Sequence, residues 1–203
     1  MRIEKRKSTI LSAVSITLLL TCFAAPRAGA NESQSSAAPQ APRVSETMTP
    51  AANPADVGSI NAIVHAAYDT ISGPAGQQRD WNRFRSLFVP GARLIPVASN
   101  SAGEFHAAVH SVDDYVARGE AYLQKNGFFE REVARRTERF AGIAQVFSTY
   151  ESRHAAADAK PFERGINSFQ LMNDGRRWWI VTIFWQGETP ESPIPQEFLQ
   201  GVK

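Results

Sequence analysis

The chain has 203 residues, 22 basic against 20 acidic, and one cysteine. So even a balance supplies no global positive field for nucleic acid. A lone Cys22 excludes an intrachain disulfide framework and a thiolate metal cluster.

Residues 1–30 read as a secretory signal peptide: a basic start at Arg2, Lys5, Arg6 and Lys7, an apolar run from Ile10 to Ala25, and the small residues Ala28-Gly29-Ala30. The alternative is a membrane anchor, but Ser12, Ser15, Thr17 and Thr21 interrupt the roughly 20 apolar residues that a span needs. A lipoprotein site at Cys22 ranks second, because Thr21 is a poor match to the small residue expected before it. These thirty residues hold five of the basic residues and one of the acidic ones, so the remainder is acidic by two. Cleavage would leave an extracytoplasmic protein, periplasmic or secreted, with no membrane or nucleic-acid partner expected.

Residues 31–53 are rich in Ser, Ala and Pro and hold almost no large apolar residues, the composition of a flexible linker. Asn53-Pro54-Ala55-Asp56 then signals a helix start. Ile60, Ile63, Val64, Ala67, Tyr68 and Ile71 continue at helical spacing until Gly73-Pro74-Ala75-Gly76. Asp80 caps a second helix with Trp81, Phe84, Leu87 and Phe88 on one side. Ala92–Val97 and Glu104–His110 are short strand candidates, and Pro96 places the first at an edge. Ser111-Val112-Asp113-Asp114 opens a third helix that ends at Asn126-Gly127.

Long strands follow in FFEREVARRTERFAGIAQVFSTYESR, PFERGINSFQLM and, after Asn173-Asp174-Gly175, RRWWIVTIFWQ. Helices first and long strands after predict an α+β domain over 54–188, with three N-terminal helices on one face of a curved antiparallel sheet. Residues 189–203 form a Pro-containing tail.

A two-residue turn at Ala141-Gly142 pairs Phe140 with Ile143 and, counting back, Arg139 with Ala144, Arg135 with Ser148 and Val133 with Tyr150. The more apolar face then carries Arg135, Ser148 and Tyr150 inward. Asn167 joins them by sharing a face with Phe169 and Leu171. This register also sets Glu132 against Glu151, an unfavourable like-charge pair. On the last strand, Trp178, Ile180 and Phe184 fall on one face and Trp179, Val181, Ile183 and Trp185 on the other. A strand apolar on both sides predicts a homodimer across the outer sheet face.

The helix pair with AYDTISGPAG and RDWNRFRSLFVPGARL, the FEREVARRTERFAGIAQVFSTYES hairpin and the closing GINSFQLMNDGRRWWIVTIFW resemble the nuclear transport factor 2-like superfamily, in its SnoaL-like bacterial branch. The resemblance spans roughly Ala55 to Gln186. It implies a cone-shaped fold, a pocket between sheet and helices, and frequent homodimers. Relatives include isomerases, cyclases, dehydratases and non-enzymatic binding domains, so no reaction follows from it.

The candidate pocket residues are Tyr68, Trp81, His110, Arg135, Ser148, Tyr150 and Asn167. Each has a plainer reading. The aromatics serve as core, Arg135 belongs to a buried ion pair, and Ser148 and Asn167 satisfy backbone groups. No HExxH, GxSxG or GxxxxGK[ST] occurs, and no metal or cofactor is expected. Two functions remain: an exported domain that binds a small, partly apolar molecule, or a cofactor-independent acid–base enzyme acting on a small carbonyl compound. The inward groups suit holding a carbonyl or carboxylate, with His110 the candidate base near the mouth. No catalytic residue is assigned. A carboxylate inside the pocket beside Tyr150 would favour the enzyme.

Overall fold

Asn53 opens α1 (Pro54–Val57), its side chain accepting the Ala55 N–H at 3.0 Å. The expected single helix is two: backbone at Ser59 is extended, and its hydroxyl caps α2 (Ile60–Ile71) by accepting the Ala62 N–H. Asp80 caps α3 (Trp81–Ser86). Ser111 and Asp114 form a reciprocal capping box on α4 (Val112–Asn126), which Gly127 ends at φ 68°. The computed structural model describes residues 49–200. The expected signal peptide, residues 31–48 of the expected linker, Cys22 and residues 201–203 lie outside the described residues.

Six strands, β1 (Phe88–Ser99), β2 (Phe105–Ala107), β3 (Phe129–Phe140), β4 (Ile143–Arg153), β5 (Glu163–Asn173) and β6 (Trp178–Gly187), form one curved sheet in the order β2-β1-β6-β5-β4-β3. The α+β class is as expected, but the sheet is mixed, since β1 runs parallel to β6. Tight hairpins force antiparallel neighbours, and none joins β1 to β6. β1 is also not the edge strand that Pro96 led one to expect, because β2 lies outside it over three residue pairs.

The β3–β4 turn is Ala141-Gly142, with Ala141 at φ 47°. Pairing runs as expected from Phe140↔Ile143 back to Ala134↔Thr149. A bulge at Val133 then shifts it, so Tyr150 faces Glu132 and Glu151 faces Arg131. The feared carboxylate pair does not form; Glu151 instead accepts from Arg131 and Arg153.

A second bulge, at Val181, separates Leu171↔Ile180 from Gln170↔Thr182. It corrects the expected faces of β6. Ile183 and Trp185 turn inward with Trp178 and Ile180, while Val181 and Phe184 are exposed on the outer face. Ile63, Val64, Phe84, Leu87, Val146, Phe169 and Ile180 are fully buried between helices and sheet, each contributing roughly 1.5–3 kcal/mol by burial. The tail returns across the outer face. Thr149 donates to the Phe198 carbonyl at 2.6 Å, and the Phe198 ring packs on Phe147.

Candidate functional site

A cavity of about 130 Å³ lies between α2, α4 and the inner sheet face. The Val133 bulge places Glu130 in its wall: with the extra residue, Glu130 and Glu132 point the same way as Ser148, Tyr150 and Ser152. Glu130 is half-buried and accepts from Ser152 Oγ at 2.8 Å and Asn167 Nδ2 at 3.4 Å. Burial pushes its carboxyl up to about 7, and the Glu163 charge adds to this against those two hydrogen bonds. Glu163, at the start of β5, accepts from the Tyr150 hydroxyl at 2.8 Å and completes a rim. Burial, reinforced by nearby carboxylates, raises the phenols of Tyr68, Tyr115 and Tyr150, so all three are protonated donors at neutral pH.

The direction of the interior hydrogen bonds follows from donor counts. Glu132 accepts two bonds from Arg135, at 2.8 and 2.7 Å, and a third from Ser148. Ser148 therefore spends its single proton on Glu132. The Tyr68 hydroxyl, 2.7 Å from Ser148, must donate to it. Asn167 Nδ2 in turn donates to the Tyr68 oxygen at 3.1 Å. The chain Asn167, Tyr68, Ser148, Glu132, Arg135 ends at Asn61, whose side-chain oxygen accepts from Arg135. The Tyr115 hydroxyl, in contrast, has no side-chain partner among the described residues. Its ring lines the cavity, stacked on Phe84 and edge-on to Trp185.

Of the seven residues singled out in the sequence, Tyr68, Tyr150 and Asn167 line the cavity. Ser148 sits one hydrogen bond behind Tyr68, and Arg135 stands behind Glu132. Trp81 is turned away, its indole N–H donating to Glu120 at 3.0 Å. His110 is not in the cavity wall; its backbone bridges to Leu94. Sequence reasoning missed Glu130, Glu163 and Tyr115. The like-charge clash at Glu132 was the available signal for the bulge, and alternation back from Asn167 reaches Glu163. Among the described residues no group of three or more His, Cys, Asp or Glu is placed to hold a metal ion.

A wider cleft of about 560 Å³ leads outward from Tyr68 and Glu130. His65, Arg131 and Arg153 line it together with Asp69, Glu132 and Asp158.

No protein-family model matches the chain, and no curated protein matches it in sequence. Solved structures do resemble it. A protein of unknown function with a cystatin-like fold from Nostoc punctiforme is 10% identical, with 64% of this chain and 90% of that one covered and a TM-score of 0.50. An NTF2-like protein of unknown function from Shewanella baltica is 12% identical over 64% of this chain and 91% of that one, at TM-score 0.42. Another from Silicibacter pomeroyi is 16% identical over 64% and 94%, at 0.44. The chain has a cystatin-like cone fold, helices packed on a curved sheet. At such identities the likeness is one of fold, and function has to be argued from the cavity.

Proposed function

We propose that the protein is an acid–base catalyst that moves a proton on a small, partly apolar carbonyl compound, with Glu130 as the base. The observation that carries this reading is a carboxylate inside an aromatic cavity beside Tyr150, with the unpartnered Tyr115 hydroxyl in the same cavity. Glu130 takes a proton from the carbon next to the carbonyl. Tyr115 donates to the carbonyl oxygen as it gains charge. Ser152 and Asn167 fix the carboxylate's orientation. A base with a pKa near 7 is substantially ionised at neutral pH and still holds a proton well enough to return it. Return of that proton to a different carbon completes an isomerisation; its delivery from Glu130 to a β-hydroxyl, which leaves as water, completes a dehydration.

A ligand-binding domain is the second reading. It is favoured by the interior chain from Asn167 to Arg135, in which each side chain is bonded to the next with no ligand present. In either case we place the protein outside the cytoplasm, on the strength of residues 1–30.

The test is hydrogen–deuterium exchange, followed by NMR, at the carbon next to the carbonyl of small cyclic ketones and enones. The parent should accelerate exchange, and Glu130→Gln should lose about 10²–10⁴-fold of that acceleration. Ketones that bind in the cavity yet exchange no faster than in buffer would leave the binding reading in its place.

A further inference from the structure

We propose that the cavity takes a small organic cation, an alkyl- or cycloalkylammonium compound, and that the substrate of the reaction above carries such a group. The substrate part rests on the catalytic reading; the binding part does not.

Charge is the first argument. Glu130 and Glu163 both line the cavity, and no Lys, Arg or His does so among the described residues. In the outer cleft three basic side chains are set against three acidic ones besides Glu130. Arg131 and Arg153 there are both committed to Glu151. Asp69 is held by Arg83, and Glu132 by Arg135. The two cavity carboxylates therefore set the local field.

The walls supply the second argument. Half of the lining residues are aromatic, with Tyr68, Tyr115, Tyr150 and Trp185 among them. Aromatic faces attract a cation by about 0.5–2 kcal/mol each when water is excluded.

The third argument is hydrogen-bond polarity. The Tyr68 proton is committed to Ser148 and the Tyr150 proton to Glu163. Asn167 Nδ2 donates to Tyr68 and Glu130. What the wall offers a ligand is chiefly acceptors: the carboxylate oxygens and the remaining Tyr68 lone pair. Tyr115 is the one uncommitted hydroxyl donor in the lining. An ammonium group has donors and no acceptor, which complements such a wall.

Size limits the cation. A cavity of about 130 Å³ is on the scale of the roughly 150 Å³ site that admits benzene, so a single five- or six-membered ring or its acyclic equivalent fits. The chemistry agrees as well. As the enolate forms Glu130 takes up the abstracted proton, so the remaining cavity acid, Glu163, is what repels it, and a positive charge on the substrate offsets that repulsion. A cation also favours ionised Glu130, so binding should expel a proton at pH values where Glu130 is protonated in the empty cavity.

Isothermal titration of the purified chain with cyclopentylammonium, cyclopentanol and cyclopentanecarboxylate tests the proposal. The ammonium compound should bind at least tenfold more tightly than the alcohol, and the carboxylate should not bind. At pH 6, titrations in buffers of different ionisation heat should show proton release with the ammonium compound and none with the alcohol. Glu130→Gln and Glu163→Gln should each lose the tenfold preference while binding the alcohol as the parent does, which certifies an intact cavity. Equal affinity for ammonium and alcohol, tighter binding of the carboxylate, or no ammonium binding at millimolar concentration would each overturn it. Ammonium preference without ketone exchange leaves the cation site standing and removes the catalytic reading. Exchange of a neutral ketone with no ammonium preference does the reverse.

Discussion

Glu132 lies opposite Tyr150 rather than Glu151 and reaches Arg135, three residues on, with two hydrogen bonds at 2.8 and 2.7 Å. In a regular strand, residues three apart point to opposite faces. The bulge at Val133 is what lets this acid and this base share one. The same shift carries Glu130 into the cavity wall.

The Glu132–Arg135 pair should behave as a structural element. Their side chains are 14% and 6% exposed, and removing one partner strands the other's charge. Arg135→Ala should cost about 3–5 kcal/mol in chemical denaturation. Replacing both residues by apolar ones of similar volume should cost clearly less than either single change. Since Arg135 is outside the cavity wall, a cavity ligand should raise the thermal midpoint of Arg135→Ala as much as that of the parent. A ligand shift seen in the parent alone would return Arg135 to the binding site.

Glu130 gives stability a defined pH dependence. Burial raises its folded pKa to about 7, above the 4.5 of a solvated glutamate. Its contribution is fully present below about pH 4.5 and is lost as pH rises through 7. At 1.36 kcal/mol per unit, the loss is roughly 3 kcal/mol at most. Glu130→Gln should flatten this part of the stability–pH curve and be the more stable protein at pH 8. Activity should run the opposite way, rising with pH through about 7 as the base ionises. Parallel stability curves for parent and variant would show that Glu130 titrates normally.

Gly165 is required by the cavity. A Cβ there would meet the Tyr150 hydroxyl at 2.5 Å and press on the Gln186 carbonyl. Gly165→Ala should push Tyr150 off Glu163 and destabilise by about 1–3 kcal/mol, read from the denaturation midpoint. Loss of Tyr150–Glu163 contact alone, in Tyr150→Phe, should cost less.

The outer sheet face should form a homodimer. Val181, Phe184 and Phe105 are 37%, 46% and 58% exposed there, beside a groove of about 700 Å³ rimmed by Pro193, Ile194 and Pro195. Light scattering should give twice the chain mass, and Phe184→Asp should give a folded monomer. Trp185 packs on Tyr115 inside, so Trp185→Glu should damage the cavity instead. A parent that is monomeric at micromolar concentration would sink the dimer.

Export can be read by mass. Protein recovered from the extracytoplasmic fraction should begin at Asn31. An intact Met1, or a lipid adduct on Cys22, would contradict simple cleavage.

The sequence by itself marked three helix starts and the hairpin turn. Asn53, Asp80 and Ser111 cap helices where their side chains can reach N–H groups two or three residues on, and Ala141-Gly142 turns the hairpin; these are local interactions between near neighbours. It also turned Tyr150 and Asn167 to the inner face, because alternation is reliable along those stretches of β4 and β5. Only the tertiary structure decided that β1 runs parallel to β6 and that Trp185 faces inward. It alone turned Glu130 into the cavity and His110 away from it. The physical reason is that one extra residue in a strand reverses every side chain beyond it. Whether that residue is accommodated depends on pairings such as Arg131 with Glu151 and Arg135 with Glu132, which exist only once β3 lies against β4.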